Sequence, residues 1–388
     1  FKPLLEAFPC WCVTTYAISN SLPLKPALFD VAIIDEASQC DIASCLPILF
    51  RCKKAVIVGD DKQLPHLSFL EKSKEQSFLS QYEIPDKYQL MWRFRTNSMF
   101  DLANYYSTKP VLLDEHFRSF APIIDFSNKE FYGDRIRIMS QCYDKNVLEF
   151  VEVPEGKVDL DITRNMPEVE AIMQRLQEII QEDERNKEEH EPVTVGIISP
   201  FRGQVELIKK AIAQVFTDAI VRKHKIEVGT AHTFQGDERD IIMLSWAVAN
   251  NSFNQSLTFL QIPNLFNVAI TRARKKQIIF LSKDAKSLPA GLLKDYIEFV
   301  QAYIARNNLK EEMKESFVER FNSNFSEEYL LMTREELLEK NILGLNTVEE
   351  NNIINHDNLL NFIKRTLAEN NFTNTHRVLV VAANNETI

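Results

Sequence analysis

Residues 31–39 read Val-Ala-Ile-Ile-Asp-Glu-Ala-Ser-Gln, and residues 55–65 repeat the design as Ala-Val-Ile-Val-Gly-Asp-Asp-Lys-Gln-Leu-Pro. In both, a continuous apolar run ends in carboxylates. A strand that is apolar on both faces belongs in a parallel sheet covered on both sides, and the carboxyl ends of such strands are where an open α/β sheet places its ligand-binding side chains. The pair therefore predicts two buried neighbouring strands, with Asp35, Glu36, Asp60 and Gln63 on one rim.

Further apolar runs at 147–151, 193–198, 226–229, 241–245 and 277–281 alternate with helical periodicity at 167–180 and 204–216, which predicts a second α/β unit. A run at 12–18 predicts another strand in the first. A chain of 388 residues exceeds one ordinary core, and the expected division is 1–110, 111–287 and an appendage at 288–388. The appendage is Asn-rich, with a helical pattern at 358–368 and a strand at 378–382. It reads as a small α/β or partly ordered element that offers a surface to a protein partner. The charged stretch 181–191 reads as a solvated helix end and loop, and Lys275-Lys276 as a solvated turn. Trp92, Phe94, Phe100, Tyr105 and Tyr106 are expected to pack against the sheet more than to stack on bases.

The charged fraction of 26% and hydrophobic fraction of 45% are those of a globular chain. No apolar run is long enough to span a bilayer and no leader pattern is evident, so no membrane association and an intracellular, cytoplasmic location are expected. Six scattered cysteines lack the paired short spacings of a zinc site and are expected to be mostly buried thiols. The net charge of −10 argues against a nucleic-acid binder, yet residues 301–388 alone hold 9 Lys and Arg against 14 Asp and Glu. The remainder can still carry a basic path, because the local field captures phosphates.

Adjacent carboxylates at a strand end have a specific use. Asp35 can hold Mg²⁺ through its water shell, and Glu36 can take a proton from an attacking water. Gly59 permits a tight turn, and the Gln63 amide can read a phosphate and its water. Taken alone, an Asp-Glu pair is more often an exposed loop pair than a site, and a metal nuclease site of Asp35, Glu36 and Asp60 is a remote alternative.

Leu113-Asp-Glu-His-Phe-Arg-Ser119, Gly229-Thr-Ala-His-Thr-Phe-Gln-Gly-Asp-Glu-Arg-Asp240 and Asn267-Val-Ala-Ile-Thr-Arg-Ala-Arg274 follow in order. With the two strand ends, these segments resemble the ordered motifs of superfamily 1 helicases, and their wording is similar to the 1B branch that includes the nonsense-decay and Okazaki-processing enzymes. The resemblance implies two RecA-like parallel-sheet domains, the first incomplete, that hydrolyse Mg·ATP between them and track single-stranded DNA or RNA in the 5′→3′ direction. By the same resemblance, Asp35 and Glu36 form the Walker B motif, Asp60 and Gln63 the following motif, and Arg118 and Arg272 are arginine fingers delivered from the second domain. Gln235, Gly236 and Glu238 face the nucleotide. Thr14, Thr15, Ser199, Arg202, Thr230 and Thr233 contact nucleic acid, although Ser199 and Thr233 equally suit capping and structural roles.

One expected part is absent. None of the nine glycines lies in a Gly-x-x-x-x-Gly-Lys-Ser/Thr phosphate loop. The expectation is a carboxyl-terminal portion of a longer motor that is inactive by itself, with a non-hydrolytic scaffold binding nucleic acid or a partner as the alternative. Translocation contacts go to backbone and stacked bases, so DNA and RNA are not distinguished by the sequence.

Overall fold

In the computed structural model, which describes residues 2–8, 10–140, 146–186 and 191–324, the two apolar runs become β1 (Phe29–Ile34) and β2 (Cys52–Ile57). They pair in parallel with Ile34 opposite Ile57, so their carboxyl ends lie side by side. The crossover helix Ile42–Phe50 starts at Asp41, whose carboxylate accepts from the Ser44 N–H at 2.8 Å. The helix Met99–Tyr106 opens with a reciprocal capping box between Ser98 and Asp101. Ile34, Ala37, Ile42, Cys45, Met99 and Leu102 make the small core of this first lobe.

Short strands β3 (Glu115–His116) and β4 (Arg137–Ile138) pair in parallel at the start of the second lobe. Between them runs the helix Ala121–Tyr132, which ends on Gly133 at φ 60°, the left-handed stop that glycine adopts without cost. Then follow β5 (Leu148–Glu152), the antiparallel pair β6 (Val158–Asp159) and β7 (Arg164–Asn165), β8 (Val195–Ile198), β9 (Glu227–Gly229), β10 (Arg239–Ser245) and β11 (Ala273–Leu281). The principal sheet has the order β5-β11-β10-β8-β9 and all its pairings are parallel.

Consecutive residues of its central strands enter opposite cores, which is why those runs are apolar without alternation. Met243, Ile278 and Phe280 pack under the helices Met166–Arg185 and Arg202–Val215. Ile242, Leu244, Ile279 and Leu281 join Trp246, Phe266 and Tyr296 on the other face. This second core also takes in Leu288 and, at the beginning of the helix Leu292–Asn324, Leu293, Ile297 and Val300. The chain to Ile304 is one unit and Ala305–Ile388 another. The expected helix at 358–368, the strand at 378–382, Cys142 and part of the charged stretch 181–191 lie outside the described residues.

Several expectations are corrected. No strand forms at 12–18; Thr14 instead opens a turn into the short helix Ile18–Ser21, its hydroxyl accepting from Ala17 N–H at 3.1 Å. The strands β1 and β2 are not buried on both faces, since Ile33 is 72% and Val56 49% exposed. A two-stranded sheet has one face on its small core and, among the described residues, no layer on the other. Lys275 and Lys276 are not in a turn but inside β11, paired to Asp240 at 3.1 Å and Glu149 at 2.7 Å. Of the aromatic group, Phe100 packs on the first core, whereas Trp92, Phe94 and Tyr106 line an open apolar basin of about 870 Å³ with Phe78, Tyr82 and Tyr88. Cys10 and Cys12 are exposed, and Cys45 alone is buried among the described cysteines.

The buried polar centre of the second lobe is Glu168, held where four elements meet. Its carboxylate accepts from Ser245 Oγ (2.8 Å), Ala247 N–H (3.0 Å), Ser282 Oγ (3.1 Å) and Asn165 Nδ2 (3.1 Å). Burial pushes it up to about 7, against the opposing pull of Ala247, Ser245 and Ser282. A folded value above the ordinary 4.5 gives stability that is full below 4.5 and is lost as the pH rises through about 7. Wild-type stability is therefore expected to fall by about 3 kcal/mol between pH 4.5 and 7.5 relative to Glu168→Gln. Urea titrations of both proteins across that range measure it, and parallel pH profiles would exclude a buried proton on Glu168.

Candidate functional site

The pairing of β1 with β2 places both carboxylate turns on one rim, and backbone contacts fix them to each other. Val58 N–H donates to Ile34 O at 2.9 Å, Ala37 N–H to Val58 O at 2.8 Å, and His66 N–H to Ser38 O at 2.9 Å. Gly59 is needed here for space and not for a left-handed turn. A Cβ at that position would lie 2.7 Å from the Phe100 ring and 3.0 Å from Ser38 N, too close for either neighbour.

Glu36 has φ of +50°, a conformation that costs a β-carbon residue on the order of 1 kcal/mol. Its N–H donates to Asp35 Oδ1 at 2.9 Å, and Gln39 Nε2 donates to its Oε2 at 2.8 Å. Among the described residues, each carboxylate thus keeps one oxygen without a protein donor. The Ser38 hydroxyl beside them is buried without a partner. This donor set fits Mg²⁺, which takes one or two carboxylates and completes its shell with water and phosphate oxygens. Among the described residues no three His, Cys, Asp or Glu converge as a metal cage.

Asp60 is committed elsewhere. Its Oδ1 accepts from Lys62 N–H at 2.9 Å, while its Oδ2 accepts both Gln63 Nε2 at 2.9 Å and the hydroxyl of Tyr132 at 2.7 Å. Tyr132 ends the helix Ala121–Tyr132, so the Gln63 turn is held by a segment remote from it in the chain. The helix Pro263–Ile270 grips it as well. Asn264 Nδ2 donates to Asp61 O at 2.9 Å and to Gln63 O, and Asn267 Nδ2 donates to Lys62 O at 3.0 Å.

Nearer the principal sheet, Ser119 Oγ donates to Ala273 O at 2.7 Å and Phe120 N–H to Arg274 O at 3.0 Å. These two bonds bind the segment after β3 to the beginning of β11 and so bring Arg118 to Arg272. Arg118 pairs with Glu238, which also receives Arg274 at 3.5 Å. Arg274 and Lys275 converge on Asp240 at 3.3 and 3.1 Å. Burial alone would raise the Asp240 carboxyl, but Thr194 and Lys275 hold it below its usual range.

Arg272 is different. It is 3% exposed and bonds only neutral oxygens, Val268 O and Thr271 Oγ1, both at 3.0 Å. Among the described residues no carboxylate forms an ion pair with it. Burial, then the adjacent Arg118, lowers it to about 10, while Glu36 and Glu238 pull the other way. Arg118, Glu36 and Glu238, from three separate segments of the chain, therefore act on one buried guanidinium. A desolvated cation without a counterion is a site for an anion.

Gln235 and Gly236 lie in the turn between β9 and β10. The Gln235 Nε2 is buried without a hydrogen-bond partner, and Gly236 takes φ of +76° with open space where a Cβ would stand. Thr233 is exposed and packs against Gly229, and its N–H donates to Thr230 O at 2.9 Å. Ser199 is buried, with its hydroxyl accepting from Phe201 N–H at 3.5 Å, while Arg202 is exposed at the first turn of its helix. Thr14 is exposed and Thr15 half-buried in the first-lobe turn.

Tyr132 and Asn264 join the site without having been marked from sequence, and so does Asn267, which opens a quoted motif but was given no role there. A signal for the last two was present: Asn264, Asn267 and Thr271 recur at i, i+3 and i+7 along an otherwise apolar helix, a polar stripe that demands partners.

Two matches to families described as AAA domain cover residues 12–69 and 95–284. An ATP-dependent helicase of Mycoplasma genitalium is 27% identical over 79% of this chain and 28% of its own length. Helicase SEN1 of Saccharomyces cerevisiae is 29% identical over 70% of the chain and 12% of its own, and the probable helicase senataxin of Homo sapiens 30% over 70% and 10%. The chain thus spans less than a third of each of these relatives. Among solved structures, the PRRSV helicase overlays 68% of this chain and 38% of its own at 16% identity and a TM-score of 0.32. With AAA-domain matches over residues 12–69 and 95–284 and similarity to helicases from bacteria to man, the chain belongs to superfamily 1 of the helicases.

Proposed function

We propose that this chain forms the hydrolytic cleft of a nucleic-acid-dependent ATPase that moves along single-stranded DNA or RNA, with lobes at 1–110 and 111–287. The observation that supports it most is Arg272, a buried guanidinium with no ion-pair partner among the described residues, in electrostatic reach of Glu36 across the cleft. A γ-phosphate supplies the charge that Arg272 lacks.

In this reading Glu36 takes a proton from water as the water oxygen bonds to the γ-phosphorus, and the β,γ-bridging oxygen leaves with its electron pair on ADP. Gln63 orients that water. Arg118 and Arg272 stabilise the charge spread over the equatorial oxygens, and the free Gln235 amide is positioned to donate to a phosphate. Asp35 would hold Mg²⁺, which neutralises charge on the β- and γ-phosphate oxygens. Closing and opening of the cleft would then shift Thr14, Thr15, Ser199, Arg202, Thr230 and Thr233 along the strand. The likeness of the motif wording to the 1B branch supports 5′→3′ movement.

The 388 residues hold no phosphate-cradling Gly-Lys loop, so turnover is assigned to a polypeptide that carries such a loop together with this chain. The test is phosphate release from Mg·ATP by that longer protein with and without single-stranded nucleic acid, alongside the 388-residue chain. At least tenfold stimulation is expected for the former and negligible release for the latter. Tight strand binding with no turnover by the longer protein would favour a scaffold.

A further inference from the structure

Gln63 is the group proposed to sense the γ-phosphate, yet its amide is oriented by a side chain of the opposite lobe. The hydroxyl of Tyr132 donates to Asp60 Oδ2 at 2.7 Å, and the same oxygen accepts Gln63 Nε2 at 2.9 Å. The Tyr132 oxygen in turn accepts from Asn267 Nδ2 at 3.2 Å. Asn267 cannot flip, because its Oδ1 accepts from Ser127 Oγ at 2.6 Å and its Nδ2 also donates to Lys62 O at 3.0 Å. One residue turn later the Asn267 carbonyl accepts from Thr271 Oγ1 at 2.8 Å, and Thr271 Oγ1 accepts from the Arg272 guanidinium at 3.0 Å. The contacts form one unbroken path from the Gln63 amide to the Arg272 guanidinium.

We infer that Tyr132 is a positioning residue, the latch through which the second lobe sets the Gln63 amide in register with Arg272 when the cleft is closed. The donor directions are consistent along the whole path: Asn267 donates to Tyr132, Tyr132 to Asp60, and Gln63 to the same carboxylate. Burial and the adjacent Asp60 keep the phenol protonated, so the bond to Asp60 persists throughout the neutral range. The geometry also gives the latch a second state. When the lobes separate, Tyr132 and Asn267 withdraw together on the second lobe, Asp60 loses one of its three donors, and the carboxylate that holds Gln63 is no longer fixed from the second lobe. Phosphate sensing is thereby tied to closure, and a nucleotide bound to the first lobe alone meets an unset Gln63.

This inference rests on the proposed nucleotide cleft, and its test separates the two. In the 388-residue chain, amide hydrogen exchange at Lys62 and Gln63 is expected to rise at least tenfold in Tyr132→Phe and in Asn267→Ala, with exchange in β10 unchanged. In the longer, loop-containing protein, Tyr132→Phe is expected to lower kcat roughly tenfold while leaving KM within about twofold, the sign of a contact that matters in the transition state. Combining it with Gln63→Ala is expected to add nothing to Gln63→Ala alone. Unchanged exchange at residues 62 and 63, or additive losses in the double variant, would overturn the latch. An absence of wild-type turnover would instead overturn the nucleotide reading, and the exchange measurement would still decide whether Tyr132 holds the turn.

Discussion

Arg272→Ala is expected to reduce nucleic-acid-stimulated ATP turnover by about a thousandfold or more, with the fold and strand binding retained. Two properties of the site set this magnitude. The guanidinium is buried, so its field on a γ-phosphate is weakly screened, and it is fixed by Val268 O and Thr271 Oγ1, so little reorganisation is needed as charge develops. Truncating a buried side chain would ordinarily destabilise the lobe. Here the lost packing is offset by removal of an uncompensated buried cation, which is costly in a folded protein. The melting temperature of the variant is therefore expected to stay within a few degrees of wild type. Arg272→Lys is expected to recover little activity, because an ammonium presents no planar fork and would leave Val268 O or Thr271 Oγ1 without its donor. Steady-state phosphate release with saturating single strand, paired with thermal melts, measures all of this. A variant keeping more than about a tenth of wild-type kcat would remove Arg272 from the transition state.

The pattern of success in the sequence has a physical basis. The apolar stretches 195–198, 241–244 and 278–281 of β8, β10 and β11 were legible because side chains on both of their faces pack into hydrophobic cores. The run at 12–18 is also rich in strand-favouring residues but meets no sheet among the described residues, and Thr14 caps a turn there instead. Lys275 and Lys276 read as a turn because two charges interrupt the hydrophobic pattern. The structure accommodates them at the entry of β11 by giving each a carboxylate, Asp240 and Glu149. Gly59 was noticed for conformational freedom, whereas its actual constraint is the approach of Phe100 and Ser38, which no local sequence window contains. The same limit explains Tyr132. Motif residues such as Asp35, Glu36 and Gln63 are recognisable from their neighbours in the chain, but a hydroxyl that acts on Asp60 from 72 residues away is visible only once the lobes are folded together. Arg118 and Arg272 were placed by resemblance. That they meet depends on two bonds, from Ser119 and Phe120 to β11, that resemblance does not specify.

Glu36→Gln is expected to lower turnover by about a hundred- to ten-thousandfold while nucleotide remains bound, so that the protein stalls on its strand. The substitution is nearly isosteric and keeps an oxygen able to accept from Gln39 Nε2, and it leaves the backbone at φ of +50° no more strained than glutamate does. What it removes is proton acceptance and one negative charge facing Arg272. The first loss slows attack by water. The second makes the cleft more positive in the ground state and is expected to tighten nucleotide binding, which separates Glu36 from Asp35. Asp35→Asn is expected to weaken Mg·ATP binding, because the proposed metal contact is lost before any chemistry begins. The pair of variants thus predicts opposite changes in nucleotide affinity with a shared loss of turnover. Single-turnover hydrolysis and fluorescent-nucleotide titration distinguish them, with Glu36→Gln trapping unhydrolysed ATP and Asp35→Asn failing to retain it. Near-normal single-turnover rates in Glu36→Gln would transfer the proton to another acceptor and leave the left-handed backbone at Glu36 without a catalytic reason.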